Sequence, residues 1–432
     1  MTGQSQWALL GSRRFAPFFI AQGLGAFNDS LYKQALILAI LFKLSVVGNP
    51  SLWVNLCALL FVLPFFLFSA LGGQLGEKFP KSLLVQRLYL AELLFMPLVA
   101  IGLWLNSLPL LLLVLFLMGS QAALFGPIKY AILPEQLHKG ELVGGTALVE
   151  MATFLAILGG TIAAGGVLSL DAYQGLLLAV VVAVALVGWL ASRAIPNTQA
   201  AHSGLALDWH LPRQTLATLR LGLGQADRSV PFAMLGIAWF WFMGTVYLTQ
   251  IPAYAKTYLN GGAAAVSLIL TLFSVGVALG SVLCGRFSRQ HPELRLVAVG
   301  ATGLSLFGLV LWYFSDANGV PEGAAMLGAW RSWVLLLCVL GLGASGGLYI
   351  VPLYAVIQAR TDSKERARVI AANNIINTLF MVLASLLSIV FLVVLALSIP
   401  SLFMAVSLAS LVLNLYLFRA VPEFIRGPGQ RP

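Results

Sequence analysis

Charge is what this sequence has least of. Asp, Glu, Lys and Arg make up 9% of its 432 residues, whereas a soluble domain carries about 25% because water must wet its surface. A water-soluble globule of this size is thereby excluded. Cysteine is almost absent, and Cys57, Cys284 and Cys338 each sit in an apolar run, which excludes a disulfide framework and a thiolate metal site. The Walker loop (Gly-x4-Gly-Lys-Ser/Thr) is missing, so ATP hydrolysis is not supported and no cofactor is expected. Long polar stretches are missing too, the longest being Pro196 to Val230.

What remains is hydrophobic, 60% of the chain, in blocks of about twenty residues that match a hydrocarbon core of roughly 30 Å. Lipid offers no hydrogen bonds, so such blocks must be helices. The spacing predicts an all-α integral membrane protein with twelve spans, near 15–43, 52–73, 83–105, 108–131, 142–168, 174–195, 231–257, 263–285, 294–315, 331–357, 368–395 and 399–420. The polar stretch 196–230 then reads as a linker between six-helix halves 1–195 and 231–432. Arg13 and Arg14 precede the first block without a small-residue cleavage pattern, which predicts a retained helix rather than a signal peptide.

The net charge of +10 is a matter of topology. Loops on the side of the termini hold Lys78, Lys81, Arg87, Lys139, Arg193, Arg213, Arg220, Arg228, Arg286, Arg289, Arg295, Arg360, Lys364, Arg366 and Arg368. The opposite loops hold Lys43, Lys256 and Arg331 together with Asp171, Asp316 and Glu322. The positive-inside rule places both termini in the cytoplasm. The bases also favour anionic membrane lipid, and nucleic acid is not needed to explain them.

An internal repeat follows the second and eighth spans. Gly72-Gly-Gln-Leu75-Gly-Glu77-Lys78-Phe79-Pro80-Lys81 is echoed by Gly280-Ser-Val-Leu283-Cys-Gly-Arg286-Phe287-Ser-Arg289. A weaker echo joins Leu124-Phe125 and Tyr130-Ala131 to Leu348-Tyr349 and Tyr354-Ala355. Span n thus matches span n+6, the parallel repeat of a two-bundle transporter. The loops resemble the signature loop of the major facilitator superfamily, with Glu77 for its aspartate and Pro80 for its second glycine. That resemblance implies a gating role for Gly72, Glu77, Lys78, Lys81, Arg286 and Arg289, and a cavity lined by the first, fourth, seventh and tenth helices.

Ionisable groups within spans are costly and mark sites by default. Five are read at membrane depth, Asp29, Lys33, Glu92, Lys129 and Glu150, all in the first half, and no acid or base occupies the middle of a span in the second half. Asp29 and Lys33 lie four residues apart and can share a helix face and pair, with Asn28, Ser30 and Gln34 adding polar atoms. Lys129 either holds a phosphate or carboxylate as a point charge, or reaches the interface or pairs with Glu150 or Glu135. Glu150 is a partner for a lysine or a proton carrier, and Glu92 on the third span reads as structural. The second half offers uncharged groups, including Trp239, Trp241, Tyr247, Gln250, Tyr349, Tyr354, Gln358, Asn373, Asn374 and Asn377. A cavity charged on one wall and apolar on the other suits an amphiphile.

At Gly25-Ala-Phe27-Asn28-Asp29-Ser30-Leu-Tyr-Lys33-Gln34, Phe125-Gly126-Pro127-Ile-Lys129-Tyr130-Ala-Ile-Leu133 and Glu150-Met-Ala-Thr153-Phe-Leu-Ala-Ile-Leu-Gly159 the chain resembles the lysophospholipid transporter branch of that superfamily. Val351-Pro352-Leu353 and Gln358 agree as well. Ser30 stands where the motif carries asparagine. The resemblance is strongest to the transporter portion of bacterial proteins fused to an acyltransferase. It implies a monomer in the bacterial inner membrane that brings lysophospholipid, chiefly lysophosphatidylethanolamine, to the cytoplasmic side for re-acylation by a separate acyltransferase. In that scheme Asp29 meets the headgroup amine and Lys129 the phosphate. The acyltransferases concerned use a histidine and an aspartate separated by four residues. Here the fifth residues after His138, His202, His210 and His291 are Val143, Leu207, Thr215 and Leu296, so the chain reads as a carrier and not an enzyme. Two alternatives stay open: a proton-coupled exporter of small molecules using Asp29 or Glu150, and a non-transporting partner of an acyltransferase.

Overall fold

The structure, a computed structural model, describes residues 6–44, 50–258, 263–288, 293–315 and 330–426. Arg289, His291, Asp316 and Glu322 of the sequence reading lie outside them.

The apolar blocks form helices whose ends fall within a few residues of the expected ones. They are α1 (Ala16–Phe42), α2 (Pro50–Lys78), α3 (Lys81–Trp104), α4 (Leu108–Ala131), the short α5 (Leu133–Gln136), α6 (Leu142–Leu168) and α7 (Tyr173–Arg193). The stretch read as a linker contains a helix that hydropathy does not predict, α8 (Leu211–Leu223). Then come α9 (Ser229–Tyr258), α10 (Ala263–Phe287), α11 (Arg295–Phe314), α12 (Trp330–Arg360), α13 (Arg366–Ile389), α14 (Ile399–Ala420) and the short α15 (Glu423–Arg426). Among the described residues eleven helices are long and apolar enough to cross a membrane. The helix of spanning length outside that set is α1, whose centre carries Asn28, Asp29, Lys33 and Gln34. Large apolar side chains such as Trp104, Leu190, Val393 and Val412 are exposed on the helix surfaces, as a lipid bath requires.

The chain divides into two compact units. The first takes the described residues of Met1–Gly145, Leu155–Gln225 and Gln358–Ile375, and the second those of Thr146–Phe154, Ala226–Ile357 and Ile376–Pro432. In the first unit α2 packs along α4, α1 along α7, and α3 against both α4 and α7. In the second, α11 packs along α14, and α9 against α10 and α14.

Burial of apolar surface drives little between helices already in lipid, so close backbone approach and interhelical hydrogen bonds hold them together. In the second unit a Cβ on Gly276 or Gly280 of α10 would lie 2.3 or 1.9 Å from the carbonyl oxygen of Leu340 or Ala344 of α12. From the other side, Gly343 and Gly347 press on the carbonyls of Phe273 and Val277. Two Gly-x3-Gly faces thus interlock. In the first unit Gly72 of α2 presses on the Leu124 carbonyl and Gly119 of α4 on that of Phe61. Gly72 and Gly280, matched by the internal repeat, therefore serve the same packing purpose. The hydroxyls of the second unit are also engaged in packing: Tyr349 donates to Asn414 Oδ1 at 2.9 Å, and Tyr247 lies 3.2 Å from the Ser407 hydroxyl.

This contact can be tested with a matched pair of alanines. Gly280→Ala forces α10 off α12 and is expected to cost about 1–3 kcal/mol, the usual range for overpacking. Gly166→Ala in α6, where a Cβ meets nothing within 4 Å, is expected to be neutral or stabilising, because a helical glycine costs about 0.5–1 kcal/mol relative to alanine. Thermal denaturation of both variants in detergent checks the contrast.

Candidate functional site

Two clusters of polar residues in the first unit stand out, one midway along α1 and one at the α2–α3 turn. On α1, Ala26, Asp29, Lys33 and Ile37 follow helical spacing and form a partly exposed stripe, while Gly25, Asn28, Tyr32 and Ala35 are buried. Asp29 and Lys33 share that stripe, as expected, but do not close an ion pair among the described residues. The Lys33 ammonium instead sits 4.8 Å from the centre of the Phe61 ring of α2, a cation–π contact that aromatic faces offer in place of water. The Asp29 carboxylate and the Lys33 ammonium, one helical turn apart, present opposite charges side by side.

Asn28 turns the other way, into the helix packing. Its amide donates to Glu92 Oε1 of α3 at 2.7 Å, with both residues buried. Gly25 makes this possible: a Cβ there would lie 2.6 Å from the Tyr89 hydroxyl on the same helix as Glu92.

Lys129 and Tyr130 lie near the end of α4, buried, with the Lys129 ammonium 5.1 Å from the centre of the Tyr130 ring. Two contacts set their distance from Asp29. Phe18 packs on Phe125 at 6.4 Å between ring centres, and the Tyr32 hydroxyl donates to the Leu111 carbonyl at 2.9 Å. Helices α1 and α4 therefore run antiparallel, and at 1.5 Å per residue Asp29 and Lys129 are about 20 Å apart along the axes. In phosphoethanolamine the amine and the phosphate are joined through two carbons, so one headgroup cannot touch both residues at once. The remaining expected site residues divide by unit. Gln358 and Asn374 belong to the first and are buried; Glu150, Gln250 and Tyr354 belong to the second, with Gln250 partly exposed. In the second unit Trp239 stacks on Phe242, and Trp241 on Phe154, with Phe240 edge-on to Phe154.

The second cluster is built on the signature loop. Gly73 and Gly76 of α2 let the first turns of α13 come close: a Cβ on Gly73 would lie 2.8 Å from Ala371 Cβ and 2.9 Å from Arg368 Cα, and one on Gly76 3.2 Å from Ala367 Cβ. This brings the start of α13 onto Glu77, which is 0% exposed. Glu77 Oε1 accepts from the Arg368 backbone N–H at 3.1 Å, and Oε2 from Arg368 Nε at 2.6 Å. The first N–H groups of a helix have no partner within it and attract anions, so Glu77 both caps α13 and pairs with its arginine. Beside it, buried Lys81 pairs with Glu135 of α5. Lys78 is partly exposed and Arg286 exposed, and Gly285 stands where the first loop has Glu77. Arg368 was legible only as one of many loop bases, since its acid lies 291 positions away.

With Arg368→Ala, a buried carboxylate loses its partner, which is expected to cost about 3–5 kcal/mol. Replacing both residues, Glu77→Leu with Arg368→Leu, is expected to restore most of the loss, because the apolar pair leaves no charge to satisfy. A double-mutant cycle on thermal denaturation reads the coupling.

Comparison with known proteins places this geometry. The chain matches the Major Facilitator Superfamily over residues 18–320 and 233–431. It is 28% identical over 349 residues to the lysophospholipid transporter LplT of Photorhabdus laumondii, covering 80% of each chain. It is 26% identical over 390 residues to the protein of that name from Yersinia enterocolitica, covering 88% of this chain and 87% of the other. Among solved structures, the human organic anion transporter MFSD10 superposes with a TM-score of 0.72 at 15% identity, over 94% of this chain and 99% of that one. FucP in its outward conformation does so at 0.72 and 13% identity, over 97% and 100%.

Proposed function

Because this chain belongs to the Major Facilitator Superfamily, we propose that it carries lysophospholipid, chiefly lysophosphatidylethanolamine, to the cytoplasmic side of a bacterial inner membrane by alternating access. There a separate acyltransferase re-acylates it. The observation that carries this reading is the Asp29–Lys33 stripe, an anion and a cation one turn apart on a partly exposed face of α1. A zwitterionic headgroup presents the complementary pair, its ammonium toward Asp29 and its phosphate toward Lys33. The names of the relatives, which cover four fifths or more of the chain, support the same substrate class.

Lys129 then serves a different moment of the cycle. Near the terminus-side end of α4, it meets the phosphate about 20 Å further along the helix axes, after the headgroup has left Asp29. The Glu77–Arg368 pair opens when α13 moves off α2, which gives the signature loop its gating role. Carriers in this scheme work as monomers with both termini in the cytoplasm, in keeping with the bases at that end.

Uptake of labelled lysophospholipid into liposomes tests the assignment. Asp29→Asn removes a charge-assisted contact of about 1.5–3 kcal/mol, so uptake of lysophosphatidylethanolamine is expected to fall roughly 10- to 100-fold. Lysophosphatidylglycerol, which has no amine, is expected to be affected far less. Lys33→Gln and Lys129→Ala are expected to slow both lipids. Absence of uptake by folded wild type would sink the lipid reading and move it to a proton-coupled exporter of small molecules. Equal effects of Asp29→Asn on both lipids would remove Asp29 from the amine.

A further inference from the structure

Helix α8 is built the wrong way round for a helix packed on a protein. Its face toward α2 is polar: Gln214, Thr215 and Thr218 are buried there, with Gly222. The contact is specific, since Gln74 of α2 donates to Gln214 Oε1 at 2.9 Å and accepts from the Asp208 N–H at 2.9 Å. Leu216 is 50% and Leu223 57% exposed, and Trp209 just before the helix 68% exposed, while Leu211, Leu219 and Leu221 are half-buried.

At about 100° per residue, Pro212, Leu216, Leu219 and Leu223 fall in one sector roughly 60° wide. Arg213 and Arg220 fall together beside that sector, on the side away from α2. Both arginines are exposed, and Arg213 makes only a surface pair with Asp208 at 3.5 Å, which holds it weakly. A narrow apolar strip bordered by arginine is the pattern of a helix lying in the plane of a membrane surface, its leucines toward acyl chains and its bases at phosphate level.

The depth of α8 agrees. Helix α2 has 29 residues, about 43 Å at 1.5 Å per residue, so it outruns a hydrocarbon core of roughly 30 Å by several ångströms at each end. Gln74 is one turn from the end of α2, which puts α8 at the boundary between acyl chains and headgroups rather than beyond it.

We propose that α8 is an interfacial helix that binds anionic phospholipid headgroups of the leaflet at that end of α2, with Leu216, Leu219 and Leu223 immersed and Arg213 and Arg220 on lipid phosphate. Charge complementarity selects lipid over a protein partner: at the depth of headgroups, two exposed arginines next to exposed leucines already have phosphate and acyl chain within reach.

The described cysteines are all buried, so a nitroxide can be placed on Leu216→Cys alone and on Gly204→Cys, an exposed loop position, as the aqueous reference. In nanodiscs of phosphatidylglycerol and phosphatidylethanolamine, the label at 216 is expected to collide several-fold more with oxygen than with a nickel chelate, and that at 204 the reverse. Nickel accessibility at 216 is expected to rise in pure phosphatidylcholine discs and on adding Arg213→Gln with Arg220→Gln. Nickel reaching 216 as freely as 204 in anionic discs would put α8 in water and overturn the proposal. A label shielded from both reagents would mean protein covers the face and would overturn it too. Immersion that ignores both lipid charge and the arginines would overturn the anionic-headgroup assignment.

Discussion

A polar group inside a bilayer has no water to fall back on, and the rest of this structure depends on that constraint. Backbone groups meet it by forming helices, which is why the spans could be read from hydropathy alone. Side chains meet it by finding partners on the next helix, as Tyr349 does with Asn414 and Asn28 with Glu92. Helices that gain little by burying apolar surface from lipid must then touch backbone to backbone, which explains the interlocked glycines of α10 and α12. Helix α1 departs from the pattern. Its polar centre keeps it out of the set of helices apolar enough to cross a membrane, and that departure is what points to a site.

How far the sequence could be read follows from the range of each signal. Span limits are local, and they agree with the helices to within a few residues. The polar stripe of α1 is also local, since residues four apart share a face whatever surrounds them. Helix α8 escaped because hydropathy looks for apolar blocks, and this helix interleaves leucine with arginine, threonine and glutamine. Its buried side is the polar one, so even its periodicity points away from its packing. Arg368 escaped for another reason: nothing near it in the chain marks it out from the neighbouring bases, and its acid is a helix end far away in sequence.

The separation of Asp29 from Lys129 shows what one-dimensional reading cannot supply. Both charges lie in spans, and both suit parts of one headgroup. Only the pairing of Phe18 with Phe125 and of Tyr32 with Leu111 fixes how α1 slides against α4. With that register known, the proposed partner for a phosphate beside Asp29 is Lys33, on the same helix. In the proposed function the two lysines are successive rather than simultaneous contacts, a difference that concerns the order of events and not merely the inventory of residues.

The two copies of the internal repeat separate packing from charge. Gly72 and Gly280 both press on a backbone carbonyl, so close approach of the helices is retained in both halves. The acid is present once, with Gly285 in the place of Glu77. The ionisable groups read at membrane depth likewise belong to the first half of the sequence, while Tyr247 and Tyr349 of the second half form neutral hydrogen bonds. A neutral hydroxyl in hydrocarbon is satisfied by one partner and can stay closed throughout a cycle. A charge needs an opposite charge, an aromatic face or water, and the unpaired Asp29 and Lys33 have the first only at a distance. The stripe that carries them is therefore the part of the first unit best satisfied when a charged headgroup, or water in its place, can reach it.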